Sequence, residues 1–262
     1  MKITLPDNST RELPEGSSGY DLAKDIGPGL AKSAVAVIVD GEQKDLHDVI
    51  EGDSLISIIT IDSDNGLEIM RHTLTAQVLA SALKNIYPNA RLAIGPTIDD
   101  GFYYDVESEV SISIDDLQKI ENEMKKIIST KSNITKKLSN KKDSLKVFKD
   151  LDEPYKEAII NESDQEDDFQ LYYQDNDIFV DLCKGPHLPN LGFIGAFKLT
   201  RVSGAYWKGD SKNTMLTRIY GTAWNTEKDL EKYLNIIEEA EKRDHRKIGK
   251  EMDLFHFQEE AP

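Results

Sequence analysis

Hydrophobic periodicity divides the chain into a strand-rich opening and a longer mixed region. Ile3–Leu5, Ala34–Val39 and Leu55–Ile61 are apolar runs of strand length, the second closed by an Asp40-Gly41 turn. Between the first two, Ser17–Ser18 can cap a short helix over Tyr20–Ile26, which Gly27-Pro28-Gly29 ends. Asp62–Gly66 is a polar junction. From Leu67 to Ile86 the period becomes helical, with Met70, Leu74, Val78 and Leu83 near one face and Pro88 as a stop. RLAIGPTIDDGFYYDVE then predicts two strand-like stretches around Gly95-Pro96 and the Asp100-Gly101 turn. Ser113 with Asp116 forms a capping box for a helix reaching about Ile127, and strands are expected at Phe169–Tyr173 and Ile178–Leu182. From Thr226 the stripe Leu230, Leu234, Ile237 and Ala240 predicts a further helix. The expected class is α+β, with a small strand-rich unit over residues 1–61, a larger α+β domain over 62–225 and a linker helix in 226–262.

Length and charge narrow the picture. At 262 residues the chain can bury a substantial core and hold more than one domain. It has no apolar run of about 18 residues, and MKITLPDNST has neither a charged leader nor a long apolar core, so the expectation is a cytoplasmic protein with no membrane contact. One cysteine agrees with a reducing compartment. The net charge of −16 argues against indiscriminate binding to polyanions, so any RNA contact must be local. The segment from Lys119 to Lys149 holds Lys125, Lys126, Lys131, Lys136, Lys137, Lys141, Lys142 and Lys146; it reads as a solvated helical face or as that local contact.

Candidate chemistry concentrates in DLCKGPH, Asp181 to His187. Gly185-Pro186 prevents Cys183 and His187 from sharing a regular helix, so a tight turn must display the thiol and the imidazole. The thiol has no second cysteine in the chain to pair with. FKLTRVSGAYWKGD and RIYGTAW follow. In that order and spacing, with AIGP and GFYYD upstream, these runs resemble the amino-terminal editing region of threonyl-tRNA synthetases. The opening unit resembles the ubiquitin-like β-grasp (TGS-like) module that precedes that region. MDLFHFQEEAP resembles the entry to a class II catalytic domain, while His245 and His256 near it read as ordinary surface or interface residues.

The resemblance implies an activity and a partner. The region would hydrolyse seryl-tRNA formed in error, so the partner is tRNA(Thr) charged with serine or threonine. Cys183 and His187 match the family's Cys-x-x-x-His pair, Asp181 its preceding acid, and Lys156 in EPYKEAII a lysine associated with editing. Ester hydrolysis needs a positioned water, a stabilised oxyanion and a proton for the leaving ribose oxygen. His187 can move the proton, Lys156 can hold the oxyanion or a phosphate, and Asp181 can orient a histidine or bind the substrate ammonium. Cys183 can alternatively act as a covalent nucleophile. Tyr206 and Trp207 are candidates for stacking on the terminal adenine, with core packing as the plain alternative.

One departure stands out in RHTLTAQVLASALKNIYP. The family presents His-x-x-x-His on this helix; here His72 has Ala76 four residues on, and counting from the far end puts Gln77 at the second position. His72 and Gln77 are about 140° apart on a regular helix, so both reach one site only if the helix starts after His72 or is bulged. Gln77 is therefore a candidate substrate ligand that cannot serve as a base. A histidine–cysteine metal quartet cannot be completed, so no metal and no other cofactor is expected for editing. ATP with magnesium, a catalytic zinc and a homodimer are implied only for a complete synthetase extending beyond Pro262. The alternatives are a non-catalytic tRNA-binding module and a freestanding deacylase. The physical need for editing is clear, because serine differs from threonine by one methyl group, which gives only modest discrimination.

Overall fold

The computed structural model describes residues 1–242; His245, His256 and MDLFHFQEEAP lie outside the described residues. Among the described residues no helix is long and apolar enough to cross a membrane. The opening unit runs β1 (Lys2–Thr4), β2 (Thr10–Glu12), α1 (Gly19–Ile26), α2 (Pro28–Ser33), β3 (Ala34–Val39), β4 (Glu42–Asp45) and β5 (Ser54–Thr60). Its sheet has the order β2-β1-β5-β3-β4, with β1 and β5 parallel and the other neighbours antiparallel. Ser18 caps α1 in a reciprocal box with Asp21, whose carboxylate accepts from the Ser18 amide at 2.8 Å. α1 lies close on the sheet because Gly19 has no side chain: a Cβ there would stand 2.3 Å from Val37 Cγ1. α2 follows where the pattern indicated only a breaker, since Pro28 is tolerated in a first helical turn.

Asp64 to Ile86 is one helical rod in three pieces: α3 (Asp64–Thr73), a π-helical stretch Leu74–Leu79, and α4 (Ala80–Ile86). The Ala80 amide donates five residues back to the Thr75 carbonyl, the wide turn of a π-bulge. The remainder runs β6 (Arg91–Leu92), β7 (Thr97–Ile98), β8 (Gly101–Glu107), α5 (Leu117–Ser129), β9 (Ile134–Ser139), α6 (Lys141–Asp150), α7 (Pro154–Glu162), β10 (Phe169–Gln174), β11 (Val180–Leu182), β12 (Ala196–Tyr206), β13 (Met215–Trp224) and α8 (Glu227–Lys242). One sheet has the order β12-β13-β8-β6, with β7 also on β8; the other has the order β11-β10-β9. Met70, Leu74, Val78 and Leu83 are buried against Phe102, Tyr104, Val106 and Ile219. Val35, Ala36 and Ile59 of the opening unit join the same cluster, so the two sequence units share apolar core.

One expectation changes. The lysine-rich segment is helix, strand and helix (α5, β9, α6), because β9 pairs with β10 along its whole length, which sends the adjacent Lys136 and Lys137 to opposite faces of the ladder. Lys126, Lys136, Lys137 and Lys141 are paired with acids, which leaves less free positive charge than the sequence shows. The run RIYGTAW is largely structural: Arg218 holds buried Asp105 across the β13–β8 ladder by two bonds of 2.6 and 2.7 Å.

Candidate active site

The end of α3, the first turn of α7 and the exit of β11 meet at a cavity of about 710 Å³, lined among others by His72, Ala76, Gly95, Lys156, Asp181 and Cys183. Asp181 is the middle residue of β11, and strand alternation sends its side chain inward while Val180 and Leu182 face the other side. The chain then turns out through Gly185, whose φ of +65° and whose contact with Tyr172 both require glycine: a Cβ would stand 1.9 Å from the Tyr172 hydroxyl. That turn delivers Cys183 to the cavity and His187 behind it.

His72 Nε2 lies 2.8 Å from Cys183 Sγ. His187 is buried, with its ring 4.6 Å from that of His72 and edge-on to Tyr172 at 4.4 Å. The Thr73 hydroxyl lies 3.1 Å from His187 Nδ1 and accepts the Leu188 amide at 2.9 Å. Burial pushes both imidazoles below the ordinary histidine value; for His72 the Asp181 carboxylate pulls the other way, and for His187 the Cys183 sulfur does. Both rings are therefore neutral at pH 7, the form that can accept a proton.

Lys156 and Asp181 form an almost fully enclosed ion pair at 2.5 Å, with 4% and 3% of their side chains exposed. Burial raises the Asp181 carboxyl above its ordinary value, and the adjacent Lys156 charge opposes that rise. The Tyr104 hydroxyl completes the carboxylate's surroundings at 3.5 Å, and burial raises its own ionisation well above that of a free phenol.

Not every candidate reaches the cavity. His187 borders a second cavity of about 450 Å³ with Asp45, Lys136 and Tyr172, and touches the first through His72 and Cys183. Gln77 is fully enclosed, with both amide atoms lacking hydrogen-bond partners, and the π-turn leaves Ala76 rather than Gln77 on the His72 side. Trp207 packs edge-on against Tyr155 at 4.9 Å, and Tyr206 is 41% exposed, so neither lines the cavity. Thr73, Tyr172, Asp45 and Tyr104 are the supports that sequence reasoning missed, even though Tyr104 lies in GFYYD and Thr73 follows His72; each is defined by a partner distant in sequence.

A ligand atom from each of His72, Cys183 and His187 lies within 4.8 Å of the others, so the donor set has zinc chemistry. The spacing is a different matter. Bonds of about 2.0–2.3 Å at tetrahedral angles hold zinc donors roughly 3.5 Å apart. The 2.8 Å contact of His72 with Cys183 is that of a hydrogen bond, and the two groups would have to separate to admit an ion.

This architecture, a small opening unit whose core continues into an α+β domain with a histidine–cysteine cavity, is similar to synthetase accessory regions in its matches to known proteins. The TGS domain model matches residues 1–60, and the model described as "Threonyl and Alanyl tRNA synthetase second additional domain" matches 170–220, which contains Asp181, Cys183 and His187. Among curated relatives, the threonine-tRNA ligase of Hahella chejuensis is 50% identical over 260 residues, 99% of this chain and 40% of the relative. The threonine-tRNA ligase of Francisella tularensis (strain SCHU S4 / Schu 4) is 48% identical over 262 residues, all of this chain and 41% of the relative. The chain thus corresponds along its length to the amino-terminal portion of threonyl-tRNA synthetases and spans about two fifths of their length.

Proposed function

We propose that this chain hydrolyses the ester of seryl-tRNA(Thr), with residues 62–225 supplying the reaction and residues 1–61 supporting it. What carries the reading is the His72–Cys183 contact beside the enclosed Lys156–Asp181 pair on the wall of one cavity, within a chain whose relatives are threonine-tRNA ligases. Water adds to the ester carbonyl as its proton passes to His72 Nε2, the Cys183 thiol turning aside. The tetrahedral oxyanion gains from the Lys156 ammonium. The carbon–oxygen bond to ribose then breaks, and His72 returns the proton to the ribose oxygen, leaving serine and free tRNA. Cys183 holds the His72 lone pair until substrate arrives, and His187 fixes the ring from behind.

The 2.8 Å sulfur–nitrogen contact supports a second route, in which His72 takes the thiol proton, Cys183 attacks the carbonyl, the ester bond to ribose breaks as His72 returns that proton to the ribose oxygen, and water then hydrolyses the seryl thioester to serine and free thiol. Single-turnover deacylation with quenched intermediates separates the routes. The water route predicts that Cys183→Ser retains part of the rate and that no acylated protein accumulates; a trapped seryl adduct on Cys183 defeats it. His72→Ala is expected to slow hydrolysis about 10²-fold or more, the usual worth of a positioned proton carrier. Undiminished hydrolysis in His72→Ala would remove the cavity assignment.

The whole protein is proposed to ligate threonine to tRNA(Thr) with ATP and magnesium and a catalytic zinc beyond Pro262, as a cytoplasmic homodimer. These statements rest on the relatives' name and on family resemblance. Aminoacylation by the full-length protein, with threonine and with serine, tests them.

A further inference from the structure

We infer that Asp45, in the opening unit, is a positioning residue for the candidate site, holding His187 and through it the His72–Cys183 pair; this deepens the proposed hydrolysis and rests on it. Asp45 ends β4, an edge strand of the first sheet, far from the DLCKGPH motif in sequence. Both oxygens of its carboxylate are committed across to the second domain. Oδ1 accepts the His187 backbone amide at 2.8 Å. Oδ2 accepts the Tyr172 hydroxyl at 2.8 Å, and Tyr172 is the ring packed edge-on against the His187 imidazole. Lys136 of β9 balances the charge at 2.9 Å from Oδ2.

His187 is therefore held at several points: its amide by Asp45, its ring by the Tyr172 that Asp45 anchors, and its Nδ1 by Thr73. Its ring centroid also stands 4.6 Å from that of His72. A carboxylate serving only to join two domains would not need to take the amide of the site histidine and the hydroxyl of the ring beside it. Without Asp45, the His187 amide loses its acceptor in a site where His187 is only 2% exposed, and the Gly185–His187 turn must move to find another. Displacements of about 1 Å in a positioned group can cost on the order of 10²-fold in rate.

The test uses the full chain with Asp45→Ala, Asp45→Asn and the control Asp40→Ala. Asp40 accepts the Leu55 amide at 2.9 Å within the opening unit, so its loss weakens that unit without touching the site. Asparagine at 45 keeps the acceptor for the His187 amide and loses the negative charge. Histidine ring signals in ¹H–¹⁵N long-range spectra give a readout independent of activity. Asp45→Ala is expected to shift the His187 and His72 signals, Asp45→Asn to shift them less, and Asp40→Ala to leave them in place. In single-turnover hydrolysis of seryl-tRNA, Asp45→Ala is expected to lose about tenfold or more in the hydrolytic step with under about twofold change in KM, and Asp45→Asn to recover part of it. Unmoved His187 signals in Asp45→Ala, or equal shifts in Asp40→Ala, overturn the positioning role whatever the activity. Shifted signals in a parent chain with no hydrolysis support the positioning role and count against the hydrolytic reading.

Discussion

At the residue scale the Lys156–Asp181 pair ties stability to chemistry. Each side chain is nearly enclosed, so removing one partner leaves an uncompensated buried charge. Lys156→Met is expected to cost about 3–5 kcal/mol of folding free energy, and adding Asp181→Leu to restore much of it, because a buried pair is often replaceable by packed apolar groups. Urea titrations of the three chains check this; a single variant as stable as the parent would show the pair to be wetter than its geometry. The neutral histidines set the pH response. Their folded pKa values lie below the ordinary histidine value, so the stability they contribute is full above about pH 6.5 and declines as pH falls below it, where the unfolded chain takes up protons that the folded rings do not. Hydrolysis should follow the same sign, flat from pH 7 to 8 with an acid limb centred below 6.5, as a pH–rate profile will show.

At the scale of elements, the π-turn in the Asp64–Ile86 rod decides which side chains face the cavity. It brings Ala76 to the cavity and packs Gln77 into the interior. Gln77→His therefore places an imidazole where no space is offered, and we expect a loss of about 1–3 kcal/mol in stability and no gain in hydrolysis. Ala76→His, on the same side as His72, is the substitution expected to alter the rate. Comparing the single-turnover rates and melting temperatures of the two variants checks the register, and a tenfold gain in Gln77→His alone would reverse it.

For the whole molecule the shared core matters most. Val35, Ala36 and Ile59 pack into the same cluster as Met70 and Phe102, so the opening unit and the larger domain should unfold together. Both tryptophans, Trp207 and Trp224, lie in the larger domain, which makes their fluorescence a local probe. Their transition is expected to coincide with that seen by far-ultraviolet circular dichroism. Ile59→Ala, only 3% exposed in the parent, should lower both midpoints together by about 2–5 kcal/mol of stability. Separate transitions would mean that the shared cluster couples the units weakly.

The sequence by itself determined the α+β class, the strand Ala34–Val39, the capped helices after Ser18 and Ser113, and the turn that displays Cys183 near His187. These features depend on local chemistry: periodicity, caps, and the backbone limits of glycine and proline. β9 stayed hidden because ITKKLS, with adjacent Lys136 and Lys137, carries little apolar alternation and its strand form depends on pairing with β10. Only the tertiary structure decided that His72 contacts Cys183, that His187 stands behind them, that Gln77 turns inward, and that Asp45 reaches the site from another sheet. Each is a contact between residues far apart in sequence or a one-residue change of helical register, and neither leaves a mark in local composition.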